Sequence, residues 1–251
     1  MRTDETVWVV IPAFNEVLTI ADVAKRVLRW SPNVIVVDDG SSDGTPDQLT
    51  GLPVTVLHNN SNRGKGSALI AGFAAALTKG ATRVITLDGD GQHRPEDIPA
   101  FLACAAANPN TIIIGSRLTD RAAFPVMRYK ANRIASFWIS WACGYPIEDT
   151  QSGFRVYPAN ILRSILPSTR ERHGFVFESE ILIDAARAGF LCVNIPIPAL
   201  YGQMIMRSSH FRPGRDVTRI VIMVAKKLLA RGLYPQGLAR AIALKRGAKH
   251  G

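Results

Sequence analysis

Two carboxylates one residue apart, Asp88 and Asp90, stand within residues 84–93, Val-Ile-Thr-Leu-Asp-Gly-Asp-Gly-Gln-His, where four residues of β character give way to glycines. Carboxylate and amide oxygens are hard ligands that suit Mg²⁺ or Mn²⁺. Mg²⁺ in particular usually keeps one or two protein carboxylates and takes its remaining ligands from substrate phosphates and water. Asp88, Asp90 and the amide of Gln92 are therefore candidates for a metal site. Asp and Gly are equally the residues of a plain turn, so both readings stand on this stretch alone.

Three other stretches carry polar groups in patterns of the same kind. Asp38 and Asp39 open an acidic, Gly- and Ser-rich run, 38–45. Arg63-Gly64-Lys65-Gly66 precedes a helical pattern and could cradle phosphate through the helix N-terminus and its cations, although the spacing of a P-loop is absent. Residues 145–155, from Tyr145 to Arg155, are dense in polar groups between apolar segments, as a loop lining a site would be.

These stretches must be positioned by an alternating scaffold. Apolar runs predict strands over 7–11, 34–37, 54–58, 84–88, 111–115 and 190–197. Helical spacing predicts helices over 17–30, 67–78, 95–107, 125–143, 159–166, 177–188 and 217–233. Strand, helix, strand with short links is the βαβ unit of a parallel sheet, so the class is α/β, and acidic loops after successive strands place a ligand at the carboxyl edge of that sheet. Glu178 and Glu180 near a helix start suit its dipole, and one of them could also support the site from behind.

A chain of 251 residues with 47% hydrophobic content suffices for a substantial core. No apolar run reaches the roughly 18–20 residues that span a bilayer, and the polar start lacks a signal-peptide core, so a cytoplasmic location is expected. Cys104, Cys143 and Cys192 are widely spaced and odd in number, suggesting reduced side chains instead of a disulfide framework. The formal net charge of +10 is localised: residues 1–200 hold 19 Lys and Arg against 19 Asp and Glu, whereas residues 201–251 hold 11 against Asp216 alone. The expected division is thus a body, 1–205, and a basic loop and amphipathic helical tail, 206–251. A basic tail implies an anionic partner, nucleic acid or an acidic membrane surface.

Taken in order, Val-Ile-Pro-Ala-Phe-Asn-Glu, Val-Asp-Asp-Gly-Ser-Ser-Asp-Gly-Thr, Asn-Arg-Gly-Lys-Gly and Leu-Asp-Gly-Asp-Gly-Gln-His-Arg-Pro resemble the inverting family 2 glycosyltransferases. Within that family the chain is most similar to the dolichol- or polyprenyl-phosphate sugar transferases. The resemblance implies a GT-A fold, Rossmann-like with a mostly parallel sheet flanked by helices, a nucleotide-diphosphate sugar donor, and Mg²⁺ or Mn²⁺ bridging the donor diphosphate to Asp-x-Asp. It assigns donor contacts to Pro12, Ala13, Glu16, Asp38, Asp39, Lys65, Asp88 and Gly89. Metal contacts fall to Asp88, Asp90 and Gln92, with His210 as a further candidate. Asp90, Arg117 and Asp149 become the catalytic set, Asp149 acting as base in members with hydroxyl acceptors. Arg128, Lys130, Arg133, Ser152 and Arg155 fall on the acceptor side. The Gln-x-x-Arg-Trp motif of processive members is missing, so polymerisation is not expected.

The resemblance and the charge pattern together favour a peripheral membrane enzyme on the cytoplasmic face, moving a sugar to a lipid or lipid phosphate, with the tail on an anionic surface. No nucleic-acid partner is expected. The competing readings are a soluble glycosyltransferase with a protein, glycan or small-molecule hydroxyl acceptor, and a non-catalytic nucleotide- or nucleic-acid-binding module.

Overall fold

The structure, a computed structural model, describes residues 5–118, 124–167, 174–200 and 213–247. In chain order the elements are β1 (Val7–Ala13), α1 (Ile20–Leu28), β2 (Val34–Asp38), β3 (Thr55–His58), α2 (Lys65–Thr78), β4 (Arg83–Thr86), α3 (Ile98–Ala107), β5 (Thr111–Ser116), α4 (Val126–Cys143), β6 (Arg155–Pro158), α5 (Ala159–Ile165), α6 (Gly174–Arg187), β7 (Leu191–Pro196), α7 (Pro213–Leu229) and α8 (Pro235–Gly247). The strands form one seven-stranded sheet ordered β3-β2-β1-β4-β6-β5-β7.

Alternation along the strands divides the core between two faces. Val10, Ile35, Val37, Val84, Ile112 and Ile114 face a core shared with α2, α4, α5 and α6. Val9, Ile11, Val36, Ile85 and Ile113 face the other, with α1 and α3. Burial on both sides explains why these strands read as continuous Val- and Ile-rich runs.

β6 was not anticipated. It enters between β4 and β5 and runs antiparallel to both, pairing Ile85 with Val156 and Ile114 with Arg155. The other pairings are parallel. Because β6 runs the opposite way, the loop leading into it starts at the edge where β4 and β5 end. Residues 145–154 therefore meet the segments that follow Thr86 and Ser116.

The basic tail packs differently from an open amphipathic helix. Ile220, Met223, Val224 and Leu228 of α7 are buried in the same core as α4 and α6. Lys227 bridges Asp184 at 2.5 Å and Glu180 at 2.8 Å on α6. α8, also unanticipated, follows a tight turn in which the carbonyls of Leu233 and Tyr234 accept from Trp141 Nε1 on α4. The boundary expected at 205/206 lies outside the described residues; beyond it, α7 packs on α4 and α6. Among the described residues, no helix is long and apolar enough to cross a membrane.

Candidate active site

The carboxyl ends of β1 and β2 are stitched together by their loops. Asn15, at φ 55°, donates its amide to Ser41 Oγ at 2.8 Å and accepts from the Ser42 amide at 2.8 Å. Glu16, nearly buried, donates its amide to Thr45 Oγ1 at 2.7 Å. Pro12 and Ala13 close β1, where Ala13 O accepts from the Asp39 amide at 2.8 Å.

Asp38 and Asp39 shape this floor from below. Asp38 is fully buried, accepting from the Ser41 amide and pairing with His58 Nδ1 at 2.6 Å. Asp39 accepts from Asn59 Nδ2 at 2.8 Å and from the amides of Arg63 and Gly64 at 3.0 and 2.7 Å. Its carboxylate thereby fixes the loop that delivers Lys65 to the first turn of α2.

Asp88, Gly89 and Asp90 follow β4 by two residues. Gly89 O accepts from Thr19 Oγ1 at 2.7 Å, tying the segment to α1. Asp90 Oδ1 accepts from the Gln92 amide at 2.9 Å, so Gln92 meets Asp90 through its backbone. Lys65 Nζ lies 2.6 Å from Asp88 Oδ1 and 3.1 Å from Glu178 Oε2. Burial works against a charged Asp88, yet Lys65 overrides it and holds the carboxyl down to about 2. Burial and the neighbouring Asp88 charge push Asp90 the other way, to about 6. One carboxylate is matched by a resident cation and the next is not.

His93 lies beneath this pair and had carried no role in the sequence reading. It is buried, its Nδ1 accepts from the Asp88 amide at 3.3 Å, and its ring packs on Phe154, centroids 5.5 Å apart. Burial lowers its pKa to about 4, keeping the ring neutral as an acceptor. Only its place inside the Asp-Gly-Asp-Gly-Gln-His run marked it.

Asp149 occupies a closed nest on the other side. It is fully buried, and its Oδ2 accepts from the Arg117 amide at 3.1 Å and Nε at 2.9 Å. Its Oδ1 accepts from Arg117 Nη2 at 3.1 Å and Asn132 Nδ2 at 2.7 Å. Burial opposes its charge, but the Arg117 guanidinium and these bonds hold its pKa below the usual carboxylate value. The expected base is thus a depressed carboxylate with its lone pairs occupied, and it orients Arg117 at the end of β5.

The acceptor-side residues part company. Asn132 and Ser136, absent from the expected set, face inward from α4: Ser136 Oγ lies 3.1 Å from Asn132 Oδ1 and 3.0 Å from Thr150 Oγ1. Lys130 falls on the opposite helical face and Arg133 on its flank; both are exposed, Arg133 lying over the Tyr129 ring, and Arg128 is half-buried. Ser152 is buried beneath the loop. Arg155 is fully buried and bonds the carbonyls of Ser152, Thr150 and Glu178 at 2.7, 2.8 and 2.7 Å. A guanidinium committed to backbone oxygens pins the loop. His210 lies outside the described residues.

The donor set fits a divalent cation. Asp88 and Asp90 offer hard oxygens, the charge of Asp88 matched by Lys65 and that of Asp90 unmatched by an ion pair of its own. Among the described residues no group of three or more His, Cys, Asp and Glu gathers that could hold a metal unaided. Two carboxylates with the remaining positions left to a diphosphate is the Mg²⁺ pattern.

The fold is shared with solved structures. Glucosyl-3-phosphoglycerate synthase from Mycobacterium tuberculosis, in complex with phosphoglyceric acid, matches with a TM-score of 0.64 at 20% identity, covering 92% of this chain and 81% of that one. A second structure of that enzyme holds Mn²⁺, uridine-diphosphate-glucose and phosphoglyceric acid, with a TM-score of 0.63 at 19% identity and coverage of 92% and 80%. By sequence, the polyprenol monophosphomannose synthase of Mycolicibacterium smegmatis is 31% identical over 78% of each chain. The undecaprenyl-phosphate mannosyltransferase of Micrococcus luteus is 32% identical over 75% of this chain and 81% of its own. Residues 8–166 match the family model described as glycosyl transferase family 2, and the chain belongs to that family and is a glycosyltransferase.

Proposed function

We propose that this enzyme transfers a sugar from a nucleotide diphosphate to a polyprenyl-type lipid phosphate, with inversion at the anomeric carbon. The observation that carries this reading is the state of Asp149. A hydroxyl acceptor needs a base, and general bases work best with a pKa near the operating pH. Asp149 has the opposite properties, and a lipid phosphate, already anionic, requires no base. The lipid-phosphate names of the two bacterial relatives support the same reading.

In this mechanism a phosphate oxygen of the acceptor forms the new bond to the anomeric carbon as the bond to the donor diphosphate breaks. The diphosphate leaves with the electron pair. A Mg²⁺ or Mn²⁺ held by Asp88 and Asp90, with Gln92 beside them, would neutralise charge on the leaving diphosphate. Lys65 supplies a further cation on the donor side. Arg117, oriented by Asp149 and Asn132, faces the acceptor phosphate, where a preorganised cation costs no reorganisation during reaction. Pro12, Ala13 and Glu16 line the nucleoside end, and Asp38 and Asp39 hold its floor.

The enzyme sits peripherally on a membrane to reach such an acceptor. The apolar stripe of α7 is already packed, so contact with anionic lipid falls to its outward cations, Arg215, Arg219 and Lys226. Exposed apolar residues join them: Leu229 and Leu233 by the tail turn, and Ile134 and Phe137 on α4 beside Arg133. Each cation near an anionic surface contributes about 1 kcal/mol.

The test is a product screen over UDP-, GDP- and dTDP-sugars with Mn²⁺ or Mg²⁺, with and without polyprenyl phosphate. The expected result is a polyprenyl-phosphate sugar formed with at least one donor. Transfer to hydroxyl acceptors alone, with polyprenyl phosphate inert, would overturn the reading.

A further inference from the structure

Glu178 enters the site from α6, far in sequence from every motif at the sheet edge, and its contact there is with a cation. The nearly buried carboxylate lies 3.1 Å from Lys65 Nζ, which is simultaneously 2.6 Å from Asp88 Oδ1. Lys65 therefore has two carboxylates within reach, one of them a candidate metal ligand and one not.

The surroundings are built to keep this triad in place. A Cβ at Gly153 would fall 2.7 Å from Asp88 Oδ1 and 2.9 Å from Lys65 Nζ, so any side chain there would push the ion pair aside. Gly153 is itself anchored, its carbonyl accepting from Thr86 Oγ1 at 2.8 Å. Arg155 Nη1 bonds the Glu178 carbonyl at 2.7 Å, fixing that turn of α6 against the loop over residues 150–152.

A dication bound at Asp88 repels an ammonium 2.6 Å from the same oxygen, so Lys65 must give way as the metal arrives. An ammonium on a four-carbon stem is a compact, movable charge. A buried cation left without a partner is strongly unfavourable, so its retreat needs a second carboxylate already in range.

We infer that Glu178 is a positioning residue that receives Lys65 when a metal takes Asp88, so that Lys65 serves as the site's resident counter-ion without metal and is handed over on loading. The inference rests on the metal reading of Asp88 and Asp90 given above. It assigns the Ser-Gly-Phe-Arg run a purpose: Gly153 makes room for the exchange and Arg155 holds the receiving helix turn.

The experiment measures Mn²⁺ affinity of the purified protein, by titration calorimetry and by the spin-resonance signal of free Mn²⁺, for wild type, E178Q, K65M and the double variant. No turnover is needed. The hand-over makes E178Q weaken Mn²⁺ roughly tenfold with Lys65 present and less than about twofold in the K65M background, a coupling of the size seen between neighbouring charges. If Glu178 acted only through its own field on the metal, E178Q would weaken binding equally in both backgrounds, and that result would overturn the inference. E178D covers the case in which K65M fails to fold. It keeps the charge but draws it back by a methylene, so hand-over weakens Mn²⁺ about threefold or more, whereas an unchanged affinity counts against it. Where Mn²⁺ binds only with a nucleotide diphosphate, the same cycle is run with UDP or GDP present. Wild-type protein that binds no Mn²⁺ either alone or with UDP or GDP would remove the metal reading itself, and the inference with it; binding with an additive cycle removes the inference alone.

Discussion

Two acidic centres face each other across the carboxyl edge of the sheet, and they are opposites. Asp149 is closed: no exposure, four hydrogen bonds, an arginine wrapped around it and a depressed pKa. Asp88 and Asp90 are half-buried, and the lysine pairs with Asp88, while burial and the Asp88 charge leave Asp90 pushed up to about 6. The difference teaches that balance of charge, more than residue type, separates scaffolding from chemistry. A satisfied carboxylate fixes another side chain in place, and an unsatisfied one invites a cation.

The comparison is broken most severely at Asp149. Asp149→Asn leaves Arg117 buried with half its partner gone, which is expected to cost about 3–5 kcal/mol of stability, read by denaturant unfolding. Asp90→Asn should do the reverse. Transfer should fall by about 10²–10³-fold or more in a product assay, while the metal-free protein keeps or gains thermal stability because a like-charge pair has been relieved.

A third test uses pH. Asp90 has a folded pKa of about 6 against an ordinary value of 3.8, so its neutral form is favoured by the fold. Its contribution to metal-free stability therefore grows as pH falls from 6 towards 4, opposite to the usual carboxylate. Metal binding must expel that proton, so Mn²⁺ affinity should drop by up to about tenfold per unit below pH 6, measured by titration calorimetry. The smallest effect belongs to Glu148, the exposed neighbour of Asp149: Glu148→Ala should stay within about 0.5 kcal/mol of wild type in stability.

Much of this arrangement was legible in the residues. Apart from β3, the strands up to β5 are apolar runs ended by proline, glycine or acid, and their alternation with helices points to the α/β class and the edge where ligands gather. Asp88 and Asp90 stood out as hard oxygens at a strand's end, and it was the motifs around them, more than the pair itself, that favoured a cation over a plain turn. β6 was hidden because it is four residues long and opens on an arginine, whose burial depends on carbonyls of the preceding loop and one from a distant helix. Asn132 and Ser136 were hidden for a related reason: on α4 the charged residues drew attention, while helical geometry turned the small polar ones inward. The stripe on α7 was legible but its destination was not, since a membrane and a protein core ask for the same spacing.

The sheet order has a consequence for synthesis. Among the described residues β5 pairs only with β6 and β7, both of which follow it in the chain. A nascent polypeptide ending after Ser116 could assemble β1 to β4 but would carry β5 as a hydrophobic segment with no neighbour on either side. Arg117 would then have neither its strand nor Asp149. The donor half of the pocket can form while the ribosome is still at work, and the acceptor half waits for residues up to Pro196.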